Sequence, residues 1–136
     1  MFYKIIILFI FSTELLFANI QVFNRNTGME SEIKTLSESK KLYISAKDLA
    51  QSLSSKLYEN KDRKKLVLYI TGRRIKISGH TSFIIIDDQP FQMPQIVKVE
   101  PDDLYVPAED FLHILKSTIL PGLNFDLEKE FLDIDV

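Results

Sequence analysis

The chain has 136 residues, of which 46% are hydrophobic and 26% charged: long enough for one domain with a real core and too short for two large ones. Its net charge of −2 at pH 7 makes nucleic acid a poor candidate partner. The absence of cysteine excludes disulfide staples, thiolate metal sites, a cysteine nucleophile and a lipid-bearing lipoprotein cysteine, so stability must come from apolar burial.

The N-terminal stretch MFYKIIILFIFSTELLFANIQ has one early cation, Lys4, an apolar run from Ile5 to Phe11, a polar break, and a second apolar run from Leu15 to Ala18. Roughly 20 consecutive apolar residues are needed to cross a bilayer, so this run fits a secretory signal peptide cut after Ala18. Glu14 and Leu16 are unusual in such a segment, which leaves an uncleaved N-terminal anchor as the alternative. The expected organisation is a signal peptide at 1–18, an N-terminal strand and linker at 19–35, and a domain from 36 to 136. The expected location is the periplasm or the outside of the cell.

An internal repeat organises the rest. LYISAKDLAQSLSS, starting at Leu42, recurs as LYVPAEDFLHILKS, starting at Leu104, an offset of 62 residues. In each copy a short apolar strand runs into a helix. Ser45 is the expected cap of the first helix, with Asp48 three residues on as in a capping box. Pro107 replaces Ser45 in the second copy, where proline is tolerated because its missing N–H would have been unpaired. Ala46, Leu49, Ala50 and Leu53 form one apolar stripe, and Ala108, Phe111, Leu112 and Leu115 the other. Each helix leads into a strand, a charged turn and a strand: KLYENKDRKKLVLYI in the first copy and LNFDLEKEFLDIDV in the second.

Between the copies, Arg73, Ile75 and Ile77 alternate with Arg74, Lys76 and Ser78, giving a strand with one apolar face. Leu66 to Ile70 and Phe83 to Ile86 are apolar on both sides, which predicts central or doubly covered strands. Thr71-Gly72, Ser78-Gly79 and Asp87-Asp88 read as turns, and Gln95 to Val99 as a further strand. The predicted fold class is α+β: an antiparallel β-sheet of hairpins packed with two short helices.

These residues resemble the copper amine oxidase N-terminal-like domain, a module of exported bacterial proteins. The likeness rests on YISAKDLAQSL, YENKDRKKLVLYITGRRIKI, FIIIDDQPFQMPQIVKVEPDDLYVPAEDFLHIL and the closing strand pair, and spans about Leu36 to the C-terminus, with Val106-Pro107 its sharpest match. It implies an antiparallel sheet twisted around a helix. It also implies a frequent attachment to N-acetylmuramoyl-L-alanine amidase domains. Where the family usually ends its helices in glycine, this chain has Ser54-Ser55 and Ser117-Thr118. Asp87-Asp88 fills a turn that tends to hold glycine, and Glu109 stands where arginine is common. Copper amine oxidase chemistry needs three histidine ligands and a tyrosine-derived quinone in a separate domain, whereas this chain has two histidines, His80 and His113.

Both histidines read as exposed, His80 in a turn and His113 on the polar side of its helix, without the further ligands a metal site requires. Asp87-Asp88 and Asp102-Asp103 sit in turns, and Asp133 and Asp135 alternate with apolar residues as the wet face of a strand, so no calcium site is expected. No nucleophile elbow, phosphate-cradling loop or H-E-x-x-H helix is present. The expectation is therefore no enzyme, no cofactor and no metal. Charge is the unusual feature: residues 40–76 carry a net +8 and residues 77–136 a net −9. Partial neutralisation between the two units explains part of this. The functional reading is that Lys61, Arg63, Lys64, Lys65, Arg73, Arg74 and Lys76 form a basic surface for a cell-wall or other anionic envelope polymer, with another envelope protein as the alternative partner. Two other readings stay open at this point. One is the N-terminal part of a cell-wall amidase, which the ending FLDIDV inside an apparent strand leaves open. The other is a self-assembling structural protein whose basic and acidic units meet head to tail.

Overall fold

The two amphipathic stretches become helices α1 (Ala46–Ser52) and α2 (Ala108–Thr118), and the alternating stretches become strands, in the computed structural model, which describes residues 19–136. The signal peptide or anchor read at 1–18 lies outside the described residues. Three sheets surround one core. The central sheet has the order β10-β11-β4-β3, from β3 (Thr35–Glu38), β4 (Lys41–Ser45), β10 (Lys98–Glu100) and β11 (Asp103–Pro107). One outer sheet has the order β12-β13-β1-β2, from β1 (Ile20–Asn24), β2 (Glu30–Ile33), β12 (Asn124–Asp126) and β13 (Phe131–Ile134). The other runs β5-β6-β7-β8-β9, from β5 (Lys56–Asn60), β6 (Lys65–Ile70), β7 (Arg73–Ser78), β8 (Phe83–Ile86) and β9 (Gln89–Gln92). All pairings are antiparallel except β1 with β13.

The sequence repeat is a structural repeat. Ile44 and Val106, equivalent at the 62-residue offset, are cross-strand partners, flanked by Tyr43 opposite Pro107 and Ser45 opposite Tyr105. That register is the pattern of a local two-fold axis between the copies. It continues outward, because the pairs Leu36↔Tyr43, Ser37↔Leu42 and Glu38↔Lys41 recur as Lys98↔Tyr105, Val99↔Leu104 and Glu100↔Asp103. Beyond the helices the offset becomes 66. Helix α2 has 11 residues against 7 in α1, a difference of about one turn. The pairs Tyr58↔Val67, Glu59↔Leu66 and Asn60↔Lys65 then match Asn124↔Asp133, Phe125↔Leu132 and Asp126↔Phe131.

Each outer sheet combines one hairpin from each unit. In the first, β1 and β13 pair directly and in parallel. In the second, β7 is inserted between β6 and β8 and runs antiparallel to both. Residues 19–35, read from sequence as strand and linker, supply β1 and β2, and Ile20, Val22 and Ile33 join the core. That core also holds Ile44, Leu49, Leu68, Ile75, Ile84, Val106, Phe111, Leu112 and Leu132, each at most 1% exposed. Full burial of one such side chain contributes about 1.5–3 kcal/mol, which fits a chain without covalent staples.

Local chemistry sets the helix ends. The Ser45 hydroxyl accepts the Asp48 N–H at 3.0 Å, as expected of an N-cap. The reciprocal half of the capping box is not made: the Asp48 carboxylate accepts instead from Lys34 N at 2.8 Å and Lys34 Nζ at 3.0 Å. Helix α1 ends in a Schellman motif, with Ser55 N donating to Ala50 O at 2.9 Å and Ser54 N to Gln51 O at 3.1 Å, and Ser54 left-handed at φ 52°. Pro107 is the N-cap of α2 rather than a first-turn residue, and no side chain caps there.

One strand expectation holds in one of its two forms and another needs revision. Strands β6 and β8 are interior in their sheet, but only one face of each is covered: Val67 and Ile85 are half-buried, and Tyr69 and Phe83 are 45% and 41% exposed. Their apolar outer side chains belong to an open surface. The strand expected over Gln95 to Val99 begins only at Lys98, since Val97 N donates to Thr81 O and Val97 O accepts from His80 N, both within the crossing from β7 to β8.

Candidate functional site

Directly opposed residues in a sheet share a face, so burial and register define the open side of the five-stranded sheet. One row holds Asn60, Lys65 and Ser78, with Phe83 opposite Gln92 at the far edge of the sheet, and the next holds Tyr58, Val67, Lys76, Ile85 and Pro90. A third holds Lys56, Tyr69 and Arg74. Tyr58 is 64% exposed. The face thus interleaves cations with rings and aliphatic side chains, and the three rows contain no carboxylate.

The predicted basic residues divide between the two ends of the β6–β7 hairpin. Lys61, Arg63 and Lys64 occupy the β5–β6 turn, and Lys65 opens β6. The Asn60 carboxamide accepts Arg63 N at 3.2 Å, and the left-handed Lys64 accepts Gly79 N at 2.9 Å through its carbonyl, so this turn is held from both sides. Arg73 and Arg74 lie at the opposite end of the six-residue strand β6, about 17 Å away at strand rise. Lys76 sits mid-strand between them. The structure brings Lys65 and Lys76 onto one face and adds Lys56, which sequence reasoning missed. The period-two placement of Lys56 and Tyr58 in KLYEN was the available signal.

Pairing separates these cations further. Arg73 is in close ion contact with Asp87, and Arg74 Nη2 lies 3.1 Å from Asp88 Oδ1. The Arg74 N–H and the Arg73 guanidinium hold the Asp87 carboxyl below its ordinary range, so the β8–β9 turn keeps its charge on these arginines. Lys61 reaches Asp102 at 3.8 Å, with both side chains well exposed, a pair of little energetic weight. Among the described residues, Lys56, Arg63, Lys64, Lys65 and Lys76 make no ion pair.

A cleft of about 370 Å³ lies between the β5–β6 turn and the β10–β11 turn. Glu59, Lys61, Lys64 and Lys65 come from the β5–β6 hairpin, and Glu100 and Asp103 from the β10–β11 hairpin. Both signs are present here, whereas the close ion pairs between the basic and acidic units are Arg73–Asp87 and Arg74–Asp88. Deeper in, the Asp103 carboxylate accepts from the Ser45 hydroxyl, from Leu104 N at 2.7 Å and from Lys47 N at 3.2 Å. Burial nevertheless pushes the Asp103 carboxyl above the ordinary carboxylate range, and the neighbouring Asp48 charge adds to the shift. His80 is exposed in its turn, and His113 is exposed on α2 with its ring edge-on to Phe125 at 5.0 Å. Among the described residues, no three histidine or carboxylate side chains are placed to hold one metal ion.

The family described as copper amine oxidase N-terminal domain matches residues 22–120, well over half of the chain. The chain belongs to the copper amine oxidase N-terminal domain family. The match takes in both strand-and-helix copies, the whole five-stranded sheet and most of β1, so it begins further towards the N-terminus than Leu36 and ends at residue 120, before the closing strand pair. Within that family this domain is an accessory, non-catalytic module. No curated protein and no solved structure gives a significant match to the chain.

Proposed function

We propose that this copper amine oxidase N-terminal domain works outside the cytoplasm as a non-catalytic accessory module that holds an anionic polymer of the cell envelope. One observation carries the reading: the open side of the five-stranded sheet presents Lys56, Lys65 and Lys76 without acidic partners, beside exposed Tyr58, Tyr69 and Phe83. Cations supply long-range attraction to a polyanion. Flat rings supply apolar contact with the polymer's uncharged faces. The leader-like segment at 1–18 supports export.

The test is co-sedimentation of the purified protein with purified envelope material over a range of salt. Retention should fall as salt screens the face. Replacing Lys56, Lys65 and Lys76 by Gln should lower it several-fold at low salt. Replacing Arg73 and Arg74 by Gln should do less, because Asp87 and Asp88 already neutralise them. Equal retention of wild type and the triple-lysine variant removes this mechanism.

A further inference from the structure

The duplicated plan gives the chain a second open sheet, β12-β13-β1-β2, in the place that the five-stranded sheet holds for the other pair of hairpins. Its solvent side is chemically the opposite. One row holds Asp126, Phe131, Gln21 and Glu32, and the next Asn124, Asp133, Phe23 and Glu30. Phe131 is 41% exposed. Gln21 Nε2 and Asn19 Nδ2 donate to the Glu32 carboxylate at 2.8 and 3.2 Å and hold it below the ordinary range, so it stays charged. Arg25 neutralises Asp133 at 3.0 Å, which leaves Glu30, Glu32 and Asp126 as the face's unpaired charges. Carboxylates therefore occupy both edge strands, with phenylalanines between them.

We propose that these two faces are partners for one another between molecules: the basic sheet of one copy lies on the acidic sheet of the next. Charge complementarity selects the occupant, since each face repels its own kind. Exposed rings on both faces give the contact an apolar centre. The two surfaces differ, so the contact is heterologous and each added copy leaves one face of each sign open for the next. The smaller, acidic sheet sets the size of the contact: four strands of 3–5 residues, spaced about 4.8 Å apart, present on the order of 250 Å² per partner, below the usual size of specific interfaces. The association is therefore weak, reversible and salt-sensitive. It goes beyond polymer binding and competes with it, because Lys56, Lys65 and Lys76 serve both.

Sedimentation velocity of the purified protein, over a wide concentration range at low and high salt, tests this. Average mass should rise with concentration at low salt and return to monomer at high salt. Lys56→Glu with Lys76→Glu should abolish the rise, as should Glu30→Lys with Glu32→Lys. An equimolar mixture of these two charge-reversed proteins should restore it, since each then offers a face complementary to the other. A wild-type monomer under all conditions overturns the proposal. So does unchanged association of either variant, or failure of the mixture to associate when both variants melt like the wild type. Soluble polyanion should disperse the assembled wild type. Polymer retention by a strictly monomeric protein would refute assembly and leave the proposed function standing; assembly without polymer retention would do the reverse.

Discussion

The β5–β6 turn and the β12–β13 turn are the same object with opposite charge. In the first, Arg63 N bonds the Asn60 side chain at 3.2 Å, Lys64 N bonds Lys61 O at 3.2 Å, and Lys64 is left-handed at φ 54°. In the second, Lys129 N bonds the Asp126 side chain at 3.1 Å, Glu130 N bonds Leu127 O at 3.3 Å, and Glu130 has φ 55°. Even the strand each turn receives is matched, since Gly79 N donates to Lys64 O and Gln21 N to Glu130 O, both at 2.9 Å. Yet Lys61, Asp62, Arg63, Lys64 and Lys65 in the first are replaced at the 66-residue offset by Leu127, Glu128, Lys129, Glu130 and Phe131 in the second. Backbone hydrogen bonding and the buried side chains define the shape, and the outward side chains are free to take either sign. Opposite charge on equivalent surfaces is thus a property of the exposed residues alone.

The strongest way to break the comparison is through the shared interior. Phe111 of α2 is fully buried where the equivalent α1 position is Leu49, so Phe111→Ala should cost about 3–5 kcal/mol. Urea unfolding followed by circular dichroism and by tyrosine fluorescence should show one transition moved to lower denaturant in both signals. Two separated transitions would show that the halves do not share a core. Next in size is Gly79. A Cβ there would come within 2.4 Å of Val99 Cγ2 and 3.3 Å of Lys64 Cβ, so Gly79→Ala should destabilise by about 2 kcal/mol. Adding Val99→Ala should recover part of that loss. If the second change only adds its own cost, the close approach of these two side chains is not the cause.

The repeat, the α+β class and the hairpins were legible because apolar periodicity and turn residues are local signals. Val106-Pro107 and Tyr43-Ile44-Ser45 identified the paired strands, but nothing in either stretch indicated that Ile44 and Val106 would face each other. The exchange of hairpins between outer sheets was hidden for the same reason: β1 against β13 joins the two ends of the described chain. The apolar outer side chains of β6 and β8 pointed to central or doubly covered strands; the strands are central, and Tyr69 and Phe83 stand on an open surface. The basic residues were visible as a run in sequence, and their division was not. Asp87 and Asp88 claim two arginines only because β7 and β8 pair across Ile75 and Ile86.

Smaller changes sharpen the difference between the helix ends. Ser45→Ala removes the α1 cap and a hydroxyl donor to Asp103, and should cost about 1–2 kcal/mol. Ser54→Gly relieves the left-handed serine of the Schellman motif, and should raise stability by about 1 kcal/mol in thermal melts. No gain would mean that Ser54 tolerates this geometry without strain.

The smallest expected effect concerns Asp103, whose counterpart in the other unit is Lys41. Its carboxyl is raised above its ordinary value, mainly by burial, so the folded state holds the proton more tightly than the unfolded chain does. The stabilisation from protonated Asp103 is complete below the unfolded carboxylate pKa of about 3.9. It is lost as pH rises from there through the raised folded value. The substitution Asp103→Asn removes the titrating group, while its carboxamide oxygen keeps the acceptor role for Leu104 N and Lys47 N. The amide nitrogen can donate to the Ser45 hydroxyl, which also accepts the Asp48 N–H. Relative to this variant, the wild type should lose stability as pH is raised from about 4 towards neutrality. Parallel melting curves of the two proteins across that range would show that Asp103 ionises as freely in the fold as in the unfolded chain.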